Sequence, residues 1–125
     1  MSKILLLSLM LSAAIFPSEA STNGIAGLAL DPRITGCGVT ISGGGMAVLR
    51  PFIETSSDLS GTFQVVMTKR SSGGTSAIRQ SNRFKGGSLG DVQLAVDRPS
   101  SLTLRVSITE EGGAPLCSID AEIAI

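Results

Sequence analysis

Residues able to do chemistry are few in this sequence. There is no histidine, which removes the commonest general base and the commonest nitrogen ligand for a metal. The acids are scattered, and the only adjacent pair, Glu110-Glu111, falls in a Gly-Pro turn, where a solvated loop tip is expected. Serine is abundant, but no histidine exists to activate one. Gly43-Gly44-Gly45 and Gly73-Gly74 lack the Lys-Ser/Thr and the following helix of a phosphate loop, so they read as turns. No catalytic residue, cofactor-binding residue, cofactor or metal ligand is therefore expected. The composition points away from an enzyme and towards a protein that works through its surface.

Two features remain. Cys37 and Cys117 are the only cysteines, and both fall on the apolar phase of their strands. In an oxidising compartment two buried cysteines in a small domain read as a disulfide, with two free buried thiols as the alternative. Their separation of 80 positions argues against a redox pair, whose cysteines sit close together. Closing a loop of that size is worth about 4–5 kcal/mol by the chain-entropy argument. Ile34-Thr35-Gly36-Cys37 has the letters of a lipidation box, but Asp31, Pro32 and Arg33 stand where its apolar segment would be.

The second feature is charge. Formal net charge is zero, and neither nucleic acid nor membrane is suggested as a partner. Between residues 59 and 90, however, five basic residues (Lys69, Arg70, Arg79, Arg83 and Lys85) occur with no acid. The other residues beyond position 20 hold four bases and nine acids, so a segment of +5 is set against a remainder of −5. Arg79, Arg83 and Lys85 share one parity, opposite to Ile78 and Phe84, which predicts an outward basic stripe. That stripe is either a binding surface or a set of edge charges that discourages aggregation.

The elements that must position these residues are strands. Fifteen glycines punctuate runs rich in Val, Ile, Leu and Thr, the pattern of strands and turns. Period-two alternation predicts strands over residues 37–42, 46–54, 62–69, 77–84, 92–97, 102–109 and 116–124. Phe63, Val65 and Met67 share one face, as do Leu102, Leu104, Val106 and Ile108. Pro51 cannot donate to a ladder, so its strand lies at an edge or is bulged there. About seven short half-polar strands predict an all-β, immunoglobulin-like antiparallel sandwich over residues 37–125. With four Phe, no Trp and no Tyr, a base-stacking platform is not expected. Residues 1–20 read as a cleavable signal peptide: Lys3, an apolar run to Phe16, then small residues before a cut after Ala20. Residues 21–36 show no period and read as a leader, possible order beginning near Ile34.

The stretch Leu59-Ser60-Gly61-Thr62-Phe63-Gln64-Val65-Val66-Met67-Thr68-Lys69, the serine-glycine turn after it, Ile78, Gln80, Phe84 and the late Gly112-Gly113-x-x-Leu116-Cys117 resemble the CsgC/CsgH family of periplasmic curli-assembly inhibitors. The likeness is closer to the CsgH branch and covers most of residues 37–123. It implies a small, monomeric immunoglobulin-like domain of the periplasm without an enzymatic site. Such domains keep the curli major subunit from forming amyloid before secretion, and electrostatic attraction to that subunit has been suggested for them. The resemblance makes Lys69, Arg70, Arg79, Arg83 and Lys85 the expected client-binding surface. The CsgC branch carries a Cys-x-Cys that matches Ser60-Gly61-Thr62 here, so a redox role does not transfer. Two other functions fit the residues: an accessory subunit of a surface fibre joined by strand addition, and a periplasmic enzyme inhibitor.

Overall fold

A computed structural model describes residues 24–125; the expected signal peptide lies outside them. Nine strands follow one another: β1 (Gly24–Ala26), β2 (Leu28–Ala29), β3 (Gly36–Ser42), β4 (Met46–Glu54), β5 (Gly61–Ser71), β6 (Gly74–Phe84), β7 (Leu94–Asp97), β8 (Ser101–Glu110) and β9 (Pro115–Ala124). They form a four-stranded sheet in the order β1-β3-β4-β7 and a five-stranded sheet in the order β2-β9-β8-β5-β6. Every pairing is antiparallel. The expected sandwich is what the chain forms, and each predicted strand has its counterpart.

Alternation decides which face goes inward. Phe63, Val65 and Met67 of β5, Leu102, Leu104, Val106 and Ile108 of β8, and Leu49 of β4 are buried together between the sheets. Each such side chain contributes about 1.5–3 kcal/mol on leaving water. Pro51 behaves as the sequence predicts. β7 pairs with β4 only over Met46 to Leu49, so at Pro51 the strand has β3 alone beside it.

The seven expected strands become nine because residues 24–36, read as a leader, contain β1 and β2. The first joins the four-stranded sheet along β3 and the second joins the five-stranded sheet along β9. Ile25 and Ile34 enter the core. The reason these strands do not show in the sequence is length: three residues and two, broken by Gly27, are too short to display a period. Gly27 is the crossing point between sheets, and its lack of a side chain is what permits the crossing. A Cβ there would lie 2.7 Å from Ile119 Cγ1 and 3.0 Å from the sulfurs of both Cys37 and Cys117.

Those two sulfurs are joined. The Cys37–Cys117 disulfide links β3 of one sheet to β9 of the other, with Cα atoms 6.5 Å apart. The N-terminal crossing segment is fixed beside it. Arg33 donates from Nη2 to Asp31 (2.8 Å) and to Glu110 (2.6 Å), tying the segment to the end of β8. The hydrogen bonds that Asp31 accepts, first from the Arg33 side chain and then from the Arg33 amide, hold its carboxyl down at about 2.

Candidate functional site

The five basic residues sit on one hairpin, and its register decides what each can do. β5 and β6 pair without a break from Gly61 opposite Phe84 to Ser71 opposite Gly74. The turn between them is two residues, Ser72-Gly73, with Gly74 at φ +121° in a region open to glycine. On β6, Ile78 is half-buried and Phe84 buried, its ring centroid 6.4 Å from that of Phe63. Arg79, Ser81 and Arg83 are exposed on the other face. Arg79 and Arg83 thus project from the same side of the strand, about 13–14 Å apart along it. Lys85 follows the end of β6, exposed and bridged to Ser88. Arg70 lies on the same outer face of β5, opposite Thr75, at the far end of the hairpin.

Lys69 is placed differently. It has the parity of Phe63, Val65 and Met67, so it belongs to the inner side, at the mouth of the sandwich. Its Nζ donates to Asp97 Oδ1 of β7 at 2.6 Å. That hydrogen bond is the main cause holding the Asp97 carboxyl below its ordinary range. Lys69 therefore joins the two sheets at their end, while Arg70, Arg79, Arg83 and Lys85 have no carboxylate within ion-pair distance among the described residues.

One cation of this face is absent from the sequence-derived set. Arg105 of β8 lies in the same cross-strand row as Arg79, through Val66 of β5, and the row ends at Asp120 of β9. Arg105 and Asp120 stand 3.7 Å apart, both well exposed, a pair worth little in water. The alternation of β8 already turns Arg105 outward; what the sequence lacks is the order of strands that puts β8 beside β5. The outer face of the five-stranded sheet consequently runs from cations at β6 to Asp120 and Glu122 at β9, across a ground of Ser, Thr and Gln.

Gly86-Gly87-Ser88-Leu89-Gly90 has the letters of a nucleophile elbow, Gly-x-Ser-x-Gly. The structure places it in the connection between β6 and β7, not between a strand and a helix. There the Ser88 hydroxyl accepts a hydrogen bond from the Gly90 amide at 3.2 Å. Gly86, Gly87 and Gly90 all have positive φ, so these glycines serve the loop's turns. Among the described residues no group of three or more His, Cys, Asp or Glu side chains is placed to hold a metal ion. No described helix is long and apolar enough to cross a membrane.

With this geometry in view, the solved structures supply one informative likeness. The chain is similar to CsgH from R. palustris, known from its solution structure, with 23% identity and a TM-score of 0.51. The match covers 67% of this chain and 89% of that one. The fold is CsgH-like. No protein-family model matches the chain, and no curated protein matches it.

Proposed function

We propose that the protein is a non-catalytic, chaperone-like inhibitor of the periplasm that keeps the curli major subunit from polymerising too early. The observation that carries this reading is the row of exposed cations at β6, Arg79, Arg83 and Lys85, without carboxylate partners among the described residues. Its support comes from the residues that resemble the curli-assembly inhibitors and from the CsgH-like fold. A disulfide between the sheets suits an oxidising compartment. An unpaired cationic edge raises the encounter rate with an acidic client, and contacts at an exposed surface are readily reversed. Inhibition at low ratios to the subunit needs no more than that. It requires only that early oligomers be met faster than they grow.

The test is the lag of curli-subunit polymerisation, followed by thioflavin fluorescence. Substoichiometric wild-type protein is expected to lengthen it, and about 0.5 M salt to shorten it again, because the screening length falls to a few ångströms. Joint reversal, Arg79→Glu with Arg83→Glu and Lys85→Glu, is expected to remove most of the effect. A lag that wild-type protein leaves unchanged would sink the proposal.

A further inference from the structure

The cations of β6 stand on a strand whose backbone is also unpartnered along one side. Among the described residues β6 is the last strand of its sheet and pairs only with β5. Which of its amides are free follows from the ladder. The Glu111 amide bonds the Ser60 carbonyl at 2.9 Å, so even-numbered residues of β5 turn their backbone groups towards β8 and odd-numbered ones towards β6. The two-residue turn closing on Ser71 and Gly74 gives the same phase. Thr75, Ala77, Arg79, Ser81 and Arg83 therefore aim N–H and C=O away from the molecule, over the length of an eleven-residue strand.

Edges of this kind are usually blunted by charged side chains, proline, a bulge or a covering segment. β6 has no proline, its register is unbroken, and no other described strand pairs with its outer side. Its arginines project from the face and leave the edge itself clear. They disfavour one arrangement of a second copy. Paired antiparallel about Ser81, two copies of β6 would set each Arg79 directly opposite the Arg83 of the other, like charge against like. Nor does β9 of a second copy fit well: beyond Ser118, where β2 occupies the neighbouring position, only six residues remain.

We infer that the free edge of β6 is a strand-addition site for an extended acidic segment of another protein. The incoming strand would carry carboxylates four residues apart to face Arg79 and Arg83. On its other side it would meet half-buried Gln80 and Asn82, which are hydrogen-bonded to each other at 3.0 Å, and so would present amides or hydroxyls there. Main-chain hydrogen bonds supply the attachment and the two arginines the selection. This deepens the function proposed above, since it rests on the same hairpin meeting the client, and it names the mode of contact: backbone pairing along an edge.

The experiment uses amide hydrogen exchange of the protein with an eleven-residue probe peptide of Thr, Ser and Gln bearing aspartates at positions 4 and 8. In the free protein the amides of Thr75, Ala77, Arg79, Ser81 and Arg83 exchange fast, and the even-numbered amides of β6 slowly. With peptide, the odd set is expected to slow by about tenfold or more, the even set not at all. Ser81→Pro removes an outward donor without touching the β5 ladder or any charge and is expected to weaken peptide binding about tenfold. Arg79→Gln is expected to weaken it only several-fold, and only at low salt. Peptide binding without protection of the odd amides would overturn the inference, as would no binding, equal binding of a lysine-for-aspartate peptide, or unaltered binding by Ser81→Pro. Protection of the odd amides that grows with protein concentration alone would assign the edge to a second copy and overturn it too. The two proposals fail separately. If Ser81→Pro lengthens the polymerisation lag as well as wild type, strand addition falls and the charge-guided function stands. If wild type binds the peptide but leaves the lag unchanged, the reverse holds.

Discussion

At the start of β9 the five-stranded sheet is covered by the segment that precedes β3, whereas along the outer side of β6 no described strand pairs. The closed side uses β2, a strand of two residues, laid on Cys117 and Ser118 and held by a disulfide, a glycine crossing and the Arg33 pairs. The open side uses nothing but side-chain charge. β9 alternates apolar and polar residues, whereas the inner side of β6 mixes Ile78 and Phe84 with Ser76, Gln80 and Asn82; that pattern alone does not say which edge is covered. Connectivity does: the segment before β3 is free to fold back over β9, while β6 leaves directly into the Gly86–Gly90 turns. Stability is thus concentrated at one edge and accessibility at the other, and substitutions at the two should have opposite signatures.

The largest effect is expected at the closed edge. Replacing both cysteines, Cys37→Ser with Cys117→Ser, should lower the unfolding free energy by about 2–5 kcal/mol in denaturant titration. Gly27→Val comes next. A side chain there meets Ile119 and both sulfurs within 3.0 Å, and overpacking of this kind costs about 1–3 kcal/mol. Both variants that remain folded should still slow polymerisation, because the open edge is untouched. At that edge the sign of the comparison inverts. Arg79→Glu with Arg83→Glu should shift stability by less than about 0.5 kcal/mol and yet shorten the lag several-fold relative to wild type. If the charge variants unfold the protein instead, the division between the edges is wrong.

The smallest effect concerns pH. Asp31 has its carboxyl lowered to about 2 in the folded chain, below the ordinary value of 3.8. A depressed carboxyl contributes stability that is complete above its unfolded value and is lost as pH falls towards the folded one. The unfolding midpoint should therefore drop between pH 4 and pH 2. Arg33→Ala, which removes the main cause of the shift, should flatten that drop. The side chains are solvent-accessible, so the change is expected to be small and weaker in high salt.

Much of this arrangement is legible in the sequence, and the parts that are not have definite causes. The alternation of residues 62–69 and 102–109 exposes the core strands, and that of residues 77–84 the outward stripe at Arg79 and Arg83. The apolar phase of Cys37 and Cys117 fits the disulfide that the structure contains. What the period does not carry is adjacency. Arg105 is outward from its own strand's pattern, but only the order β8-β5-β6 brings it into line with Arg79. Lys69 is a different case, since its parity already places it with Met67 on the inner side. A cation is nevertheless expected outside, and it reaches water and Asp97 only because the sandwich opens at that end. The strands β1 and β2 escape notice because three residues and two are too few to display a period.

The position of the disulfide has a mechanical consequence. Cys37 and Cys117 lie 80 positions apart, on the third strand and the last, so the bond encloses β4 to β8 in one loop. A pull applied to the chain on either side of the bond passes through the sulfurs and leaves that loop slack. The chain inside that loop, about 270 Å if it were stretched out, is withheld from extension. Tension arriving from outside the bond therefore spares the hairpin where β6 lies open.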